Sequence, residues 1–204
     1  MNQQAVPLTI GILALQGAYE AHAQTIQSLG ATPKLIRVPA ELSGIDGLIM
    51  PGGESTTMLK FLERNNFFDT LKSFVQTTPT FGTCAGCILL ARDVENPAQQ
   101  SLSALDITVE RNAYGRQIDS TILTAPTKLD GGPLEMVFIR APRITRTAST
   151  VEILATRDSF PVLVREGHLL AATFHPELSH DTRVHQLFLD LVRQNTTTNQ
   201  ALSA

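Results

Sequence analysis

The chain has 204 residues, and 16 lysines and arginines against 19 aspartates and glutamates give it a net charge of −3. This length suits one domain with a sizeable core, and a hydrophobic content of 43% excludes a disordered protein. The weakly acidic balance offers no basic surface for nucleic acid or an anionic membrane. Only 17% of the residues are charged, against ~25% in an average soluble domain, so the solvated surface carries fewer charges than usual.

The N-terminal region predicts neither a signal peptide nor a membrane span. A signal peptide begins with basic residues, but the first basic residue of this chain is Lys34, after the apolar run at 10–15. The run is broken at Gln16. It is far shorter than the ~20 residues that a span requires. Cys84 and Cys87 are too few and too close together for the disulfide framework of a secreted protein. We therefore expect a cytoplasmic protein.

The first half of the chain alternates between strand-like and helix-like segments. Short apolar segments predict buried strands at 8–15, 34–38, 48–50 and 79–83. Helical spacing of apolar residues predicts helices at 18–29, in two pieces between 57 and 75, and at 85–91. This alternation is typical of a parallel sheet covered by helices on both faces.

The second half is mainly strand-like. Candidate strands joined by short turns lie at 107–110, 120–123, 136–139, 151–155, 162–165 and 168–174. A last amphipathic helix is predicted at 182–194, followed by a polar, frayed tail from about residue 195. The sequence thus predicts one α/β domain over residues 1–204. Its mostly parallel sheet is expected to form the middle of three layers, flanked by helices and extended by antiparallel strands.

The first chemical motif is GTCAG at 82–86, where a cysteine stands two residues from a glycine on each side. This pattern is typical of a sharp strand–turn–helix elbow that projects a nucleophile above the sheet. The start of a helix also favours a thiolate. Cys84 and Cys87 equally form a C-x-x-C, the pattern of a thioredoxin-like dithiol, so a disulfide oxidoreductase stays open on spacing alone.

The second motif is His175-Pro176-Glu177, directly after an apolar run. In an extended segment, residues two apart point to the same side, so His175 and Glu177 are expected to face one site. An imidazole that accepts a thiol proton, with a carboxylate that orients its ring, is the partner a cysteine nucleophile needs. A dithiol oxidoreductase has no use for this pair.

The third motif is PGGESTT at 51–57, after a predicted strand. Its glycines allow the backbone to approach a ligand, and Ser55 or Thr56 is expected to cap the next helix. We expect this loop and the Ala85 amide to supply oxyanion donors. The loop lacks the lysine of a phosphate-binding P-loop, which disfavours a nucleotide site.

PGGESTT, GTCAG and FHPEL (174–178), in this order, resemble a class I (triad) glutamine amidotransferase. More closely, the chain resembles the PdxT/SNO family, the glutaminase subunits of pyridoxal 5′-phosphate synthase. Supporting segments are GILALQGA (11–18), ERNAYGRQ (110–117) and FIRAP (138–142), and the resemblance extends from about residue 10 to 192. The chain departs from our expectation for the family at Cys87, Tyr114 and Ser179, none of which belongs to the triad.

The resemblance implies a catalytic triad of Cys84, His175 and Glu177. It also implies glutamine-binding residues at Gly53, Glu54, Ser55, Arg111, Ile139 and Arg140. No cofactor is expected, and no metal site is expected because the five-residue spacing of His175, His180 and His185 fits none. Arginines and a glutamate in this set suit a ligand that carries both a carboxylate and an ammonium group. The remaining histidines, His22 and His185 among them, are expected to be structural.

The resemblance further implies that the chain hydrolyses L-glutamine to L-glutamate and ammonia. The ammonia would pass to a synthase subunit within a hetero-oligomeric complex for vitamin B6 biosynthesis. That subunit is expected to complete the oxyanion hole, with the Gln16-Gly17 segment as its adjustable part. The alternatives are a glutaminase subunit of another pathway, such as imidazole glycerol phosphate synthase, and a non-catalytic interaction subunit. The ERNAYGRQ and FIRAP segments argue against the first, and the complete triad argues against the second.

Overall fold

The computed structural model describes residues 7–113 and 120–202 of the chain. The strands in this part of the chain are β1 (Thr9–Leu13), β2 (Thr32–Ile36), β3 (Gly47–Met50), β4 (Thr80–Thr83), β5 (Ala91–Glu95), β6 (Leu105–Glu110), β7 (Ser120–Ala125), β8 (Leu134–Ile139), β9 (Arg143–Thr147), β10 (Glu152–Arg157), β11 (Phe160–Glu166) and β12 (Leu169–Ala172). The α-helices are α1 (Tyr19–Ser28), α2 (Ser55–Leu62), α3 (Phe67–Phe74), α4 (Ala85–Leu90) and α5 (Arg183–Leu202).

The main sheet of the described residues has seven strands in the order β10-β11-β12-β4-β3-β1-β2. The strands from β12 to β2 pair in parallel, whereas β11 and β10 extend this sheet in antiparallel fashion. A three-stranded sheet, β5-β6-β9, and the hairpin β7-β8 stand apart from it. The predicted α/β class, a mostly parallel sheet with antiparallel additions, is confirmed.

Successive residues of the central strands belong to two separate apolar clusters, one on each face of the sheet. Leu48 and Met50 of β3 lie in the first cluster, with the buried faces of α2, α3 and α4. Ile49 lies in the second cluster, with the buried residues of α1 and α5. Because side chains alternate across a strand, the sheet forms the middle layer between two sets of helices.

Two strands, β5 and β9, were not predicted from the sequence. Only Ala91 and Val94 of β5, and only Ile144 of β9, are buried. Their other positions are charged or polar, so neither strand shows the apolar run or clear alternation on which a strand prediction depends.

The last helix is longer than the sequence predicts. α5 continues to Leu202 rather than ending at Gln194 before a frayed tail. The hydroxyls of Thr196 and Thr197 donate to the carbonyl oxygens of Val192 and Arg193, one turn back. These bonds give the two hydroxyls partners within the helix, where no apolar stripe marks the segment in the sequence. No helix in the described parts of the chain has the length and apolar character to cross a membrane.

Candidate active site

Cys84 stands on a strained turn between β4 and α4. Its backbone has φ +47° and ψ −100°, a conformation that costs energy for a residue with a side chain. A Cβ on Gly82 would lie 2.6 Å from the Gly86 carbonyl, and one on Gly86 would lie 2.0 Å from the Met50 oxygen. Both flanking residues must therefore be glycine. The predicted strand–turn–helix elbow is present, and its glycines serve close packing.

His175 and Glu177 follow β12 and form a hydrogen-bonded pair. His175 Nδ1 lies 2.7 Å from Glu177 Oε1, and the Glu177 side chain is wholly buried. The segment is not extended as the sequence predicts, because Pro176–Leu178 forms a 3₁₀ turn. Proline at the first position of a helical turn has the required φ. The two side chains meet across this turn rather than along a strand.

The imidazole of His175 also makes a side-chain hydrogen bond with Cys84. Burial alone would lower the pKa of His175, but the hydrogen bonds with Cys84 and Glu177 outweigh it and raise the pKa to about 10. His175 is therefore protonated at neutral pH. A protonated imidazole in this position can give its proton to a leaving group beside Cys84.

The PGGESTT loop leads into α2 and is held by Glu54. The Glu54 carboxylate accepts hydrogen bonds from the backbone N–H groups of Thr56, at 3.2 Å, and Thr57, at 2.6 Å. Glu54, rather than Ser55 or Thr56, is thus the capping residue of α2. The Ser55 hydroxyl instead donates to Gln99 Oε1 at 2.9 Å. The prediction of the cap was wrong because the helix already begins at Ser55, which makes Glu54 the residue before its first turn.

A cleft opens above Cys84 and collects the predicted glutamine-binding residues. It is lined by Gly53, Glu54, Ser55, Cys84, Ile88, Arg111, Asn112, Ile139 and Arg140. Arg111 Nη2 lies 3.6 Å from Glu54 Oε1, which places a cation and an anion side by side. Among these lining residues, sequence reasoning did not single out Ile88 and Asn112. Residues 114–117 of the ERNAYGRQ segment, including Tyr114, lie outside the described residues.

Cys87 lies in α4, one helical turn after Cys84. It is completely buried and is a free thiol, as is Cys84. Burial raises the pKa of the Cys87 thiol well above its usual range. A buried thiol that stays protonated is a poor partner in thiol–disulfide exchange, which requires a thiolate. This environment argues against the dithiol alternative.

Two histidines lie behind the triad, although the sequence led us to expect only structural roles for them. His22 of α1 and His185 of α5 are both completely buried, and His22 Nε2 lies 3.3 Å from Glu177 Oε2. Each histidine stands at helical spacing with apolar residues of its own helix. A polar residue on a buried face is the signal that could have identified them.

No cluster of His, Cys, Asp and Glu suited to a metal ion occurs within residues 7–113 and 120–202.

Two proteins similar to this chain share one name. The "Pyridoxal 5′-phosphate synthase subunit PdxT" of Koribacter versatilis (strain Ellin345) is 59% identical over 186 residues, which cover 91% of this chain and 96% of the relative. The protein of the same name from Thermotoga maritima is 47% identical over 189 residues, covering 91% of this chain and all of that protein.

Solved structures agree with the fold. A crystal structure described as a glutamine amidotransferase is 42% identical, has a TM-score of 0.82 and covers 90% of this chain and 98% of its own. A protein from Thermoplasma acidophilum described as part of a GMP synthase is 15% identical with a TM-score of 0.69. It covers 98% of this chain and 99% of its own, and it shares the fold. The model of the SNO glutamine amidotransferase family matches residues 12–194. With nearly its whole length matched and relatives up to 59% identical, the chain belongs to the SNO glutamine amidotransferase family.

Proposed function

We propose that this chain hydrolyses L-glutamine to L-glutamate and ammonia as the glutaminase subunit of a pyridoxal 5′-phosphate synthase. The observation that carries the proposal is the connected set Cys84, His175 and Glu177 at a cleft with charged walls. The family and the names of the relatives support the same activity. The proposed unit of activity is a single glutaminase domain formed by residues 1–204.

In the first proposed half-reaction, the Cys84 thiolate attacks the side-chain amide carbon of glutamine and forms a C–S bond. The carbonyl oxygen becomes an oxyanion, for which the Ala85 N–H and an N–H of the Gly52-Gly53 loop are the proposed donors. His175 then gives its proton to the amide nitrogen, and ammonia leaves as the C–N bond breaks. The product is a thioester on Cys84.

In the second half-reaction, water hydrolyses this thioester. His175, now neutral, accepts a proton from the attacking water, and a C–O bond forms at the carbonyl carbon. Glutamate leaves as the C–S bond breaks, which restores the thiolate beside a protonated His175. Glu177 orients the imidazole in both steps through the bond to Nδ1.

The charges of the cleft match the two ends of the amino acid. Arg111 and Arg140 are the proposed partners of the α-carboxylate, and Glu54 is the proposed partner of the α-ammonium. Arg111 is largely buried, with 12% of its side chain exposed, so a carboxylate there would meet a weakly solvated guanidinium. Gly53, Ser55 and Ile139 complete the proposed glutamine site.

The proposed partner is the synthase subunit that consumes the ammonia. Two exposed apolar side chains beside the site, Ile139 and Leu178, are 37% and 46% exposed. Together with the low charged fraction of 17%, they support a docking surface around the cleft. Both cysteines are free thiols, which agrees with the proposed cytoplasmic location.

The Gln16-Gly17 segment is the proposed link between partner binding and the oxyanion loop. With its amide oriented to match, Gln16 donates to the Glu54 carbonyl at 3.0 Å and accepts from the Glu54 N–H at 3.1 Å. A partner that contacts this segment would therefore move the loop next to Gly53. On this basis the chain is expected to be poorly active alone.

A single assay separates the alternatives. Ammonia release from glutamine is measured with the wild-type chain, by itself and with purified pyridoxal 5′-phosphate synthase subunit, beside Cys84→Ala. Activity that depends on Cys84 and rises with this subunit is expected. Activity unaffected by this subunit points to another pathway, such as imidazole glycerol phosphate synthase. Wild-type turnover in Cys84→Ala overturns the mechanism, and no turnover in any mixture leaves the non-catalytic interaction role.

A further inference from the structure

Two buried histidines lie on the side of Glu177 that faces away from His175. His22 comes from α1 and His185 from α5, two helices on the same face of the sheet. Both rings pack edge-on against Phe81 of β4, with centroid distances of 6.3 Å for His22 and 5.9 Å for His185. The pair is therefore held in an apolar pocket without access to solvent.

The two rings form a continuous polar path to the triad. His22 Nδ1 lies 2.9 Å from His185 Nε2. The other nitrogen of His22, Nε2, lies 3.2 Å from Thr83 Oγ1 and 3.3 Å from Glu177 Oε2. Thr83 directly precedes the nucleophile, so His22 touches both the elbow and the carboxylate of the proposed triad.

Each ring of the pair carries a single proton at neutral pH. Burial, with smaller contributions from His185 and His175, lowers the pKa of His22 well below its usual 6.5. Burial lowers the pKa of His185 to about 4. A neutral imidazole has one N–H and one bare nitrogen, so the 2.9 Å contact holds one hydrogen, and only one of the two rings can donate it.

Two observations select the same tautomers. If His22 donated through Nδ1, its bare Nε2 would face an oxygen of the Glu177 carboxylate, and His185 would bury an N–H at Nδ1. That Nδ1 has no hydrogen-bond partner among the described residues, and a buried donor without a partner is costly. If His185 donates through Nε2 instead, His22 directs its Nε2–H towards Glu177 and Thr83. The second arrangement removes the repulsion between a bare Nε2 and the carboxylate, and it leaves at His185 Nδ1 a bare nitrogen in place of a buried N–H without a partner.

Glu177 needs this donor. Its Oε1 is bonded to His175, whereas its buried Oε2 has no bond of full hydrogen-bond geometry within the described part of the chain. We propose that His185 and His22 form a chain of N–H donors that ends on Glu177 Oε2 and holds this carboxylate against His175. They are positioning residues for the proposed glutaminase reaction, on which this inference rests.

The test compares His22→Leu, which removes the donor, with His22→Gln, whose side-chain amide can donate in place of Nε2. We expect His22→Leu to lower kcat by up to about 10²-fold, the cost of a misplaced catalytic group, with KM unchanged within about twofold. His22→Gln should recover most of the loss. When His22→Leu is added to a Glu177→Ala variant, kcat should fall by less than about twofold further, because the effect of His22 acts through Glu177.

A second measurement needs neither glutamine nor a partner. The rate of Cys84 alkylation by iodoacetamide is measured against pH, with Cys84→Ala as the blank. If Glu177 is displaced, the pH profile of Cys84 alkylation should shift in His22→Leu and in His185→Leu. The shift should be smaller in His185→Gln. His168→Leu is the control, because His168 Nε2 makes a partly buried contact, 2.9 Å from the Val75 oxygen, away from the site. Circular dichroism and thermal unfolding confirm that each variant is folded.

An unchanged kcat and alkylation profile in folded His22→Leu overturns the inference. Equal losses in the wild-type and Glu177→Ala backgrounds also overturn it, because the histidines would then act on the fold rather than on Glu177. A wild-type chain without glutaminase activity, even with the synthase subunit, refutes the proposed function instead. The alkylation profiles would still decide the role of the two histidines.

Discussion

Gly52 lies against the imidazole of His175. A Cβ at Gly52 would come within 2.3 Å of His175 Cε1 and 3.2 Å of Cys84 Cβ, so the loop that is proposed to bind the oxyanion also confines the proposed base. The loop that follows β3 and the triad are therefore one packed unit. Side-chain volume added at this point must displace either the ring or the loop.

Gly52→Ala is therefore expected to reduce glutaminase activity by about 10²-fold, the typical cost of misplacing a catalytic group by about 1 Å. The measurement is kcat for ammonia release with the synthase subunit present. Gly30→Ala is the control, because a Cβ at Gly30 has no atom within 4 Å although its φ is +82°. The control should lose some stability and keep its activity. Full activity in Gly52→Ala would contradict the packing argument.

Substitutions of Cys84 and Glu177, the two ends of the proposed triad, are predicted to reduce glutaminase activity to different extents. Cys84→Ala removes the atom that forms the thioester, so no measurable turnover is expected. Glu177→Ala leaves the thiol and the imidazole and removes only the bond at 2.7 Å that orients the ring, so a remnant about 10²–10⁴-fold below wild type is expected. Single-turnover and steady-state assays measure both. Wild-type activity in Glu177→Ala would show that Glu177 takes no part in catalysis, and a complete loss like that of Cys84→Ala would contradict a role limited to orienting the ring.

Arg111 is predicted to act on substrate affinity. Replacing it with glutamine removes a charged partner for the glutamine carboxylate, worth roughly 1.5–3 kcal/mol, or about 10- to 100-fold in kcat/KM. The change is expected mainly in KM, because the group contacts no reacting atom. Arg193→Gln, at an exposed i,i+3 pair on α5, is the control and should behave as wild type. A loss confined to kcat would argue against this role.

The stability of the folded protein is predicted to depend on pH through Glu54. Burial alone would raise the pKa of Glu54, but its hydrogen bonds with Thr56 and Thr57 lower it from 4.5 to about 2. A carboxyl group whose pKa is lower in the folded state stabilises the protein above its unfolded value and loses this contribution as the pH falls. Glu54→Ala should therefore be less stable than wild type at pH 7, and the difference should shrink between about pH 4.5 and 2.

The size of this difference is modest. A lost cap costs roughly 0.5–1 kcal/mol in a half-exposed position, where solvent screens the charge; the Glu54 side chain is 46% exposed. Urea unfolding at several pH values measures it. Glu63→Ala, at the other end of α2, provides the comparison. A difference between wild type and Glu54→Ala that is constant with pH would contradict the capping role of the carboxylate.

Gln16 is predicted to affect activation rather than chemistry. Gln16→Ala removes the two amide contacts to the Glu54 backbone and frees the loop from the segment proposed to sense the partner. The ratio of glutaminase rates with and without the synthase subunit should fall severalfold, while thermal stability changes little. An unchanged ratio would show that the partner acts on the oxyanion loop by another route.

The elbow, the histidine–glutamate pair and the PGGESTT loop were all recognisable in the sequence, because each is a local pattern of a few residues with a backbone or chemical requirement of its own. GTCAG dictates the turn at Cys84 through the close approach of Gly82 and Gly86 to their neighbours. The strands of the main sheet were recognisable as apolar runs for the same local reason. β5 and β9 were not, because most of their positions are charged or polar and neither shows an apolar run.

Only the tertiary structure decided which distant side chains meet. α1 and α5 are far apart in sequence, yet they place His22 and His185 within 2.9 Å of each other behind Glu177. Their histidines looked structural because an isolated helix does not reveal what its buried face contacts. The carboxyl ends of β3, β4 and β12 likewise bring the three sequence motifs to one edge of the parallel sheet. The sequence alone determined the chemical groups, and the pairing of the strands determined that they form one site.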